Sequence, residues 1–179
     1  PQIREDIGVQ FARERDNAII NGDTAADHQD ADVSTTTDVR TAFDGLRKYG
    51  LARTTTSLAT FNIANLRAMV SVMDRYAENE EDLFWLVGLK TRQAVKNLIT
   101  NIFNAADYVK GVAVNNSRDL RVDDIPVVST SRQRENVNAS GVNELTTNGK
   151  GTVLLVNQKA FTVGIRHEME LELFRDPRV

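Results

Sequence analysis

The stretch that decides the fold is Leu83-Phe84-Trp85-Leu86-Val87-Gly88, in which apolar residues follow one another without a break up to the glycine. Residues 80–82, all acidic, bound the run on the other side. A short continuous apolar run between such boundaries is typical of a strand buried on both faces. Residues 89–101 then carry apolar side chains at helical spacing. The sequence therefore predicts a central strand that leads into a helix.

Three further helices are predicted before this strand, because apolar residues recur there at three- and four-residue steps. They span roughly residues 3–21, 38–49 and 63–77. Asn21-Gly22 ends the first helix, since this pair favours a turn. Asp38 caps the second helix and Gly50 stops it, whereas the third helix is capped by Asn62 or by Thr60.

The remaining elements are strands and loops. Residues 125–128 predict a short strand, and Pro126 favours a sheet edge or a strand start. Residues 129–150 are rich in polar and turn-forming types and predict a long surface loop, which residues 151–156 follow as a strand. Apolar and polar residues alternate over 163–173, as in a half-buried antiparallel strand. Helices around a few strands indicate an α+β fold.

Composition excludes several classes of protein. The chain of 179 residues contains no cysteine, which rules out disulfides, thiolate catalysis and cysteine metal sites. Its net charge of −3 argues against general binding of polyanions. No apolar run approaches the roughly 20 residues of a membrane span. His28 and His167 are the only histidines, so the composition points away from a metalloenzyme and predicts no cofactor.

One loop combines aspartates with a histidine: Asp23, Asp27, His28, Asp30 and Asp32. Divalent cations such as Ca²⁺ bind several carboxylates, so a metal site in a metal-dependent hydrolase is one interpretation. The ligand order and the central glycine of a calcium loop are missing, however. A solvated acidic loop is therefore the favoured interpretation.

Two other motifs lack residues that their chemistry would require. His167-Glu168 has Leu171 where a zinc peptidase needs a second histidine, so we expect His167 to line a strand. Residues 148–152 are superficially similar to a phosphate-binding loop, but the first glycine is missing and a strand follows, which favours a hairpin turn. The sequence thus assigns no catalytic or metal-binding residue.

Four arginines form a basic stretch: Arg118, Arg121, Arg132 and Arg134. No aromatic residues lie among them to stack on bases, which argues against a nucleic-acid surface. The planar fork of arginine suits ion pairs across a protein interface. A solvated loop is the alternative interpretation.

Five segments, in this order, are similar to those of one protein family. They are residues 3–23, ending in Ala18-Ile19-Ile20-Asn21-Gly22-Asp23; Ala42-Phe43-Asp44-Gly45-Leu46-Arg47; residues 83–87; Asp124-Ile125-Pro126-Val127-Val128-Ser129; and residues 151–159 followed by Ala160-Phe161-Thr162-Val163-Gly164-Ile165-Arg166. In these segments the chain resembles the major capsid protein of tailed bacteriophages, which has the Hong Kong 97-type fold. The family often has a glycine and a variable residue where Asp124 and Ile125 stand here.

The resemblance implies a particular organisation of the α+β fold. A spine helix and peripheral strands would accompany an axial domain of helices around a small mixed sheet. Residues 1–31 would form the spine helix and following loop of the peripheral domain, residues 32–157 the axial domain, and residues 158–179 the return strand of the peripheral domain. The family's N-terminal arm and extended loop have no counterpart here, so we transfer no isopeptide cross-link. We expect a truncated core that mostly stays unassembled, because the missing parts provide overlapping contacts in the family.

The resemblance also implies a function. The chain would be a structural subunit, not an enzyme, that self-assembles into the pentamers and hexamers of an icosahedral head around double-stranded DNA. It would need no cofactor. Its partners would be its own copies, with scaffold, protease and portal proteins, in non-specific proximity to packaged DNA and without a membrane. It would reside in the virion capsid after assembly in the bacterial host cytoplasm.

The predicted contacts between subunits involve arginines of the basic stretch and glutamates of the alternating strand. The candidates are Arg118, Arg132, Arg134, Glu168 and Glu170. Charge reversal at Arg134 is expected to block ring formation while leaving the fold intact.

Three other functions stay open. An encapsulin-type nanocompartment shell has the same fold, and co-purified protein cargo instead of nucleic acid would identify it. A metal-dependent hydrolase using the acidic loop would gain thermal stability from divalent cations. A dimeric binding module would have one fixed small mass at every concentration.

Overall fold

The computed structural model describes residues 2–33, 36–53, 61–102, 120–146 and 149–164. Over these residues the protein is α+β, which confirms the predicted class. The helices are α1 (Gln2–Asn21), α2 (Leu46–Arg53), α3 (Ile63–Val72) and α4 (Leu89–Ile102). The strands are β1 (Leu83–Val87), β2 (Arg121–Val122), β3 (Ile125–Ser129) and β4 (Val153–Asn157). They form one mixed sheet in the order β2-β3-β1-β4.

The strand β1 lies inside the sheet, parallel to β3 on one side and antiparallel to β4 on the other. Side chains alternate along a strand, so its two faces enter different cores. Leu83, Trp85 and Val87 pack in the larger core, whereas Leu86 and the half-buried Phe84 pack in a smaller one. The prediction of a strand buried on both faces is therefore confirmed.

The two cores involve different helices. The larger core receives Leu66 from α3 and Val95 from α4. The smaller core receives Ile20 from the end of α1 and the half-buried Leu46 from the start of α2. The sheet therefore separates α3 and α4 from the junction between α1 and α2.

The first and third helices begin or end where the sequence predicts. Asn21 is the last residue of α1, directly before Gly22. The side chain of Asn62 caps α3 by accepting a hydrogen bond of 2.8 Å from the N–H of Asn65, which selects one of the two predicted caps. The α-helix ends at Val72 and a short 3-10 helix, Asp74–Ala77, continues the predicted segment.

The predicted second helix over residues 38–49 is wrong. Asp38 caps only a 3-10 helix, Val39–Thr41, and α2 begins at Leu46 and continues through Gly50. The interruption has a tertiary cause, because the backbone of Gly45 lies against the end of α1. Its N–H donates a hydrogen bond of 2.9 Å to the carbonyl of Gly22.

The strand that contains Pro126 is an interior strand, so the predicted edge position is wrong and the strand-start interpretation is confirmed. β3 lies between β2 and β1, and Pro126 is its second residue. Pro126 pairs with Arg121 of β2, whereas the register with β1 begins at Val127. The missing N–H of proline therefore falls outside the register with β1.

One predicted strand begins later in the structure, and another lies mostly outside the described residues. β4 begins at Val153, two residues after the predicted start. Residues 163 and 164 are exposed and lie in no strand, and residues 165–179 fall outside the described part of the chain, together with most of the predicted alternating strand. None of the described helices combines the length and the hydropathy that crossing a bilayer requires.

Candidate functional site

An open polar groove lies where the parallel strands β1 and β3 end. The N–H of Thr130, just after β3, donates a hydrogen bond of 3.0 Å to the carbonyl of Val87, the last residue of β1. From this point α4 begins on one side and the loop of residues 130–136 leaves on the other. Between them is a cavity of about 440 Å³ that Asn17 of α1 also lines. The charged residues that line it are Asp32, Arg40, Lys90, Arg132, Arg134 and Glu135.

The acidic segment behind this groove is not a solvated loop, so that part of the sequence prediction is wrong for two of its aspartates. Asp23 and Asp30 are fully buried, whereas Asp27 is exposed as predicted. A buried carboxylate requires a compensating cation or hydrogen bonds. Lys48 supplies the cation for Asp23, with its Nζ 2.8 Å from Oδ1, and the N–H groups of Ala25 and Gln29 donate to the same carboxylate.

Arg47 supplies the cation for Asp30. Its Nη1 donates to Oδ2 at 2.8 Å and its Nη2 donates to Oδ1 at 2.9 Å, so the fork binds the carboxylate with both arms. Arg47 also donates to Oδ1 of Asn21 and to the carbonyl of Gly141, each at 2.8 Å. One arginine therefore connects α2, the end of α1, the acidic segment and the loop before β4.

The pKa values of the two buried aspartates are governed by opposing effects. Burial raises the pKa of Asp30, but the hydrogen bonds and charge of Arg47, with the charge of Arg134, outweigh it and leave the pKa below its usual value. Burial likewise raises the pKa of Asp23, and Lys48 with the backbone N–H groups more than compensates. Both aspartates are therefore ionised at neutral pH.

Arg134 extends this network into the groove. Its Nε donates to Asp30 Oδ2 at 3.2 Å and its Nη2 donates to Asp32 Oδ2 at 2.7 Å. Arg40 binds the other oxygen of Asp32 at 2.8 Å and grips Asp38 through Nε and Nη2. The hydrogen bonds from Arg40 hold the pKa of Asp38 at about 2. The same pairing raises the pKa of Arg40. Both guanidinium groups are held in orientation by the carboxylates that they bind.

The acidic segment therefore binds arginines and one lysine. Asp23, Asp30 and Asp32 each bind a cationic side chain of the same chain. In the described ranges, no three histidine, aspartate or glutamate side chains are grouped so that they could hold a metal ion. The geometry gives the cation-site interpretation of this loop no support.

The other side of the groove is less constrained. Arg132 reaches Glu14 of α1 at 3.5 Å, and both side chains are partly exposed. Glu135 accepts a hydrogen bond of 2.8 Å from the N–H of Thr91 in the first turn of α4, which gives the positive end of that helix a carboxylate. Lys90 is exposed, and no carboxylate in the described part of the chain forms an ion pair with it.

The structure brings two of the five predicted contact residues together. Arg132 and Arg134 line the same groove and have partners within the chain, while their pairing across subunits stays a prediction. Arg118, Glu168 and Glu170 lie outside the described residues. Because Arg134 binds the fully buried Asp30, reversing its charge would also destabilise the fold. A contact between subunits must therefore be tested by a substitution at another residue.

Sequence reasoning missed Arg40, Arg47, Lys90 and Glu135. The loop of residues 129–150, predicted to lie on the surface, also buries Gln133, Val137 and Asn143. A signal for the arginine network exists in the sequence, because four aspartates between residues 23 and 32 and the cations at 40, 47 and 48 stand close together in the chain.

Comparison of the chain with protein-family models, with curated proteins and with solved structures gives no match.

Proposed function

We propose that this chain is a structural subunit of a phage head, with the Hong Kong 97-type fold that its sequence resembles. The α+β class and the small mixed sheet are compatible with that fold. The first helix, which the resemblance treats as a spine helix, is the longest described element, at 20 residues or about 30 Å. In this proposal the chain acts by binding its own copies.

The observation that carries the proposal is the exposure of the outer part of α1. Every residue from 5 to 13 is exposed, including Ile7 at 39%, Val9 at 45% and Phe11 at 54%. Among residues 5–21 of the helix, whose burial is described, the buried ones lie near its end, at Ala18, Ile20 and Asn21. Most helical stability in proteins comes from packing, which the outer part of this helix lacks, and its exposed apolar residues favour a surface covered by another molecule.

The charge pattern of the same helix favours another copy of this chain as that molecule. Glu5 and Asp6 lie near one end, and Arg13 and Arg15 lie two to three turns further on, where they alternate with Glu14 and Asp16. Two such helices from different copies can place opposite charges side by side while they cover Ile7 and Phe11, which share one face of the helix; Val9 lies on the opposite face. A pair of α1 helices uses the same surface on both copies and joins them in twos, so a shell subunit also needs a second contact between different surfaces, which generates rings when the rotation between copies closes.

Light-scattering mass and negative-stain imaging over a wide concentration range test this proposal. At the highest concentrations we expect assemblies whose masses correspond to rings of five and six copies, with any closed shells built from them. A monomer at every concentration would contradict the proposal, and one fixed dimer would indicate the binding module instead. Protein cargo in place of nucleic acid inside the shells would assign the chain to the nanocompartment alternative.

A further inference from the structure

We infer that the groove at the carboxyl ends of β1 and β3 receives the acidic turn of residues 78–81 from a second copy of the chain. This inference rests on the proposed self-assembly and specifies one contact within it. The contact joins one end of the central strand in one copy to the opposite end in the next. In this contact Lys90, Arg132 and Arg134 bind carboxylates of the second copy.

The groove has cationic groups that the chain itself does not neutralise. Four cations and two carboxylates line it, but Arg40 and Arg134 are also paired with Asp38 and Asp30 behind the lining, which leaves Lys90 and Arg132. Both carboxylates are already engaged, since Asp32 binds Arg40 and Arg134 while Glu135 caps α4. Lys90 has no ion-pair partner among the described residues, and Arg132 has only the distant oxygen of Glu14.

Arg134 is held in a position from which it can bind a further carboxylate. Asp30 and Asp32 hold Arg134 through Nε and Nη2, and within the described ranges no hydrogen bond uses its Nη1. A guanidinium that is already fixed loses little side-chain entropy when it binds a further oxygen. The groove is also concave and lies between a helix start and a loop, so a short projecting turn fits it better than a flat surface does.

The acidic turn lies directly before β1. Glu78, Glu80 and Glu81 are exposed, and no cation in the described part of the chain forms an ion pair with them. Asp82, the next residue, is engaged by Lys159 at 2.8 Å. The turn is held in shape by the 3-10 helix Glu80–Asp82, so three carboxylates project from a short ordered segment.

The two surfaces cannot meet within one chain. The strand β1 separates them, and five extended residues span about 17 Å. A contact between the acidic turn of one copy and the groove of the next is therefore head-to-tail. Head-to-tail contacts generate closed rings when the rotation between copies is suitable, in agreement with a ring-forming subunit.

Nucleic-acid phosphate is the competing occupant, and the structure favours the carboxylates. Among the described residues that line the groove there is no aromatic side chain that could stack on a base. The net charge of the chain is −3, which disfavours the approach of a polyanion. The test therefore includes a nucleic-acid arm.

Zero-length cross-linking identifies the contact. Isotopically heavy and light preparations of the chain are mixed, treated with a carbodiimide and digested. We expect peptides that join Lys90 to Glu80 or Glu81 and contain one heavy and one light partner. Oligomers that yield other mixed peptides but not this one would overturn the inference and leave the proposed self-assembly intact.

Charge reversal gives a second, independent measurement. Lys90→Glu and Glu81→Lys should each raise the concentration for half-maximal assembly about tenfold or more, because like charges then face each other. The double variant should recover most of the loss. Lys150→Glu and Asp27→Lys, at exposed positions outside both surfaces, are the matched controls and should assemble like the wild type.

The remaining outcomes separate the two proposals. A wild-type chain that stays monomeric at every concentration overturns both. Assembly that neither reversal changes overturns only the contact. If a short DNA duplex binds the wild type, and Lys90→Glu abolishes that binding without changing the assembled mass, the groove is a phosphate site and the inference is wrong.

Discussion

Arg47 and Asp30 form an ion pair in which neither side chain is accessible to water, with exposed fractions of 1% and 0%. The guanidinium grips both carboxylate oxygens, at 2.8 and 2.9 Å. Removing two charges from water is costly, and only good geometry with further hydrogen bonds compensates for it. Asn21 and Gly141 accept additional bonds from Arg47, and the N–H of Asn143 donates to Asp30. This pair therefore couples the position of α2 to the loop that carries the groove arginines.

Replacing Asp30 with asparagine should be strongly destabilising. It leaves the buried Arg47 without its counter-charge, for which the free energy of unfolding typically falls by about 3–5 kcal/mol. Urea denaturation followed by circular dichroism measures the loss. Asp27→Asn, in the same segment but exposed, should change the free energy by less than about 0.5 kcal/mol. Equal effects of the two substitutions would contradict the role assigned to the pair.

The stability of the fold should decrease in acid over a defined range. Asp23, Asp30 and Asp38 have pKa values below the ordinary 3.8, and that of Asp38 is about 2. The unfolded chain therefore binds more protons than the folded chain between about pH 4 and pH 2. In that range the free energy of unfolding falls as the pH falls, and above about pH 5 these groups contribute no pH dependence.

Urea unfolding at a series of pH values measures this dependence, and Asp38→Asn is the control. The variant should be less stable at neutral pH, because Arg40 loses its carboxylate, and its stability should fall less steeply in acid. A wild-type stability that stays constant from pH 4 to pH 2 would contradict the assignment.

The parts of the fold that the sequence predicted correctly depend on neighbours in the chain. The strand β1 can be predicted because its apolar run is continuous. The end of α1 can be predicted because Asn21-Gly22 follows an apolar pattern. The prediction of the second helix is wrong because the break before Leu46 is caused by a contact with Gly22, which lies more than twenty residues away in the chain. Local patterns contain no information on that contact.

The candidate site was predictable only in part for the same reason. Arg132 and Arg134 stand out as a basic pair in a polar loop. Their surroundings come from four separate segments, so neither Asp30 nor Lys90 could be assigned to them by spacing. The sequence predicts solvated aspartates because acidic loops usually are solvated, and the positions of Arg47 and Lys48 explain the burial of Asp30 and Asp23.

The contact between Gly22 and Gly45 should tolerate no side chain. A Cβ on Gly45 would lie 2.6 Å from the nitrogen of Gly22 and 2.7 Å from the carbonyl oxygen of Ile19, and both atoms belong to the backbone. Gly45→Ala should therefore reduce the free energy of unfolding by about 1–3 kcal/mol. Gly8→Ala is the matched control, because open space surrounds that position in α1. It should leave the stability unchanged or increase it by about 0.5–1 kcal/mol. Thermal unfolding of the two variants side by side gives the answer, and a stable Gly45→Ala protein would show that α2 packs differently.

The exposed apolar residues of α1 should matter for assembly and not for folding. Phe11 is 54% exposed, so Phe11→Ser should change the free energy of unfolding by less than about 0.5 kcal/mol, whereas removal of a core phenylalanine costs about 3–5 kcal/mol. Serine and phenylalanine have similar helix propensities, so the helix itself should persist. The light-scattering mass of the variant at a fixed concentration should fall well below that of the wild type. Val72→Ser, at a 58% exposed position at the end of α3, is the control and should alter neither property. Equal losses of assembly in both variants would indicate a general effect of surface hydrophobicity, and a folding defect in Phe11→Ser would mean that α1 packs within its own chain.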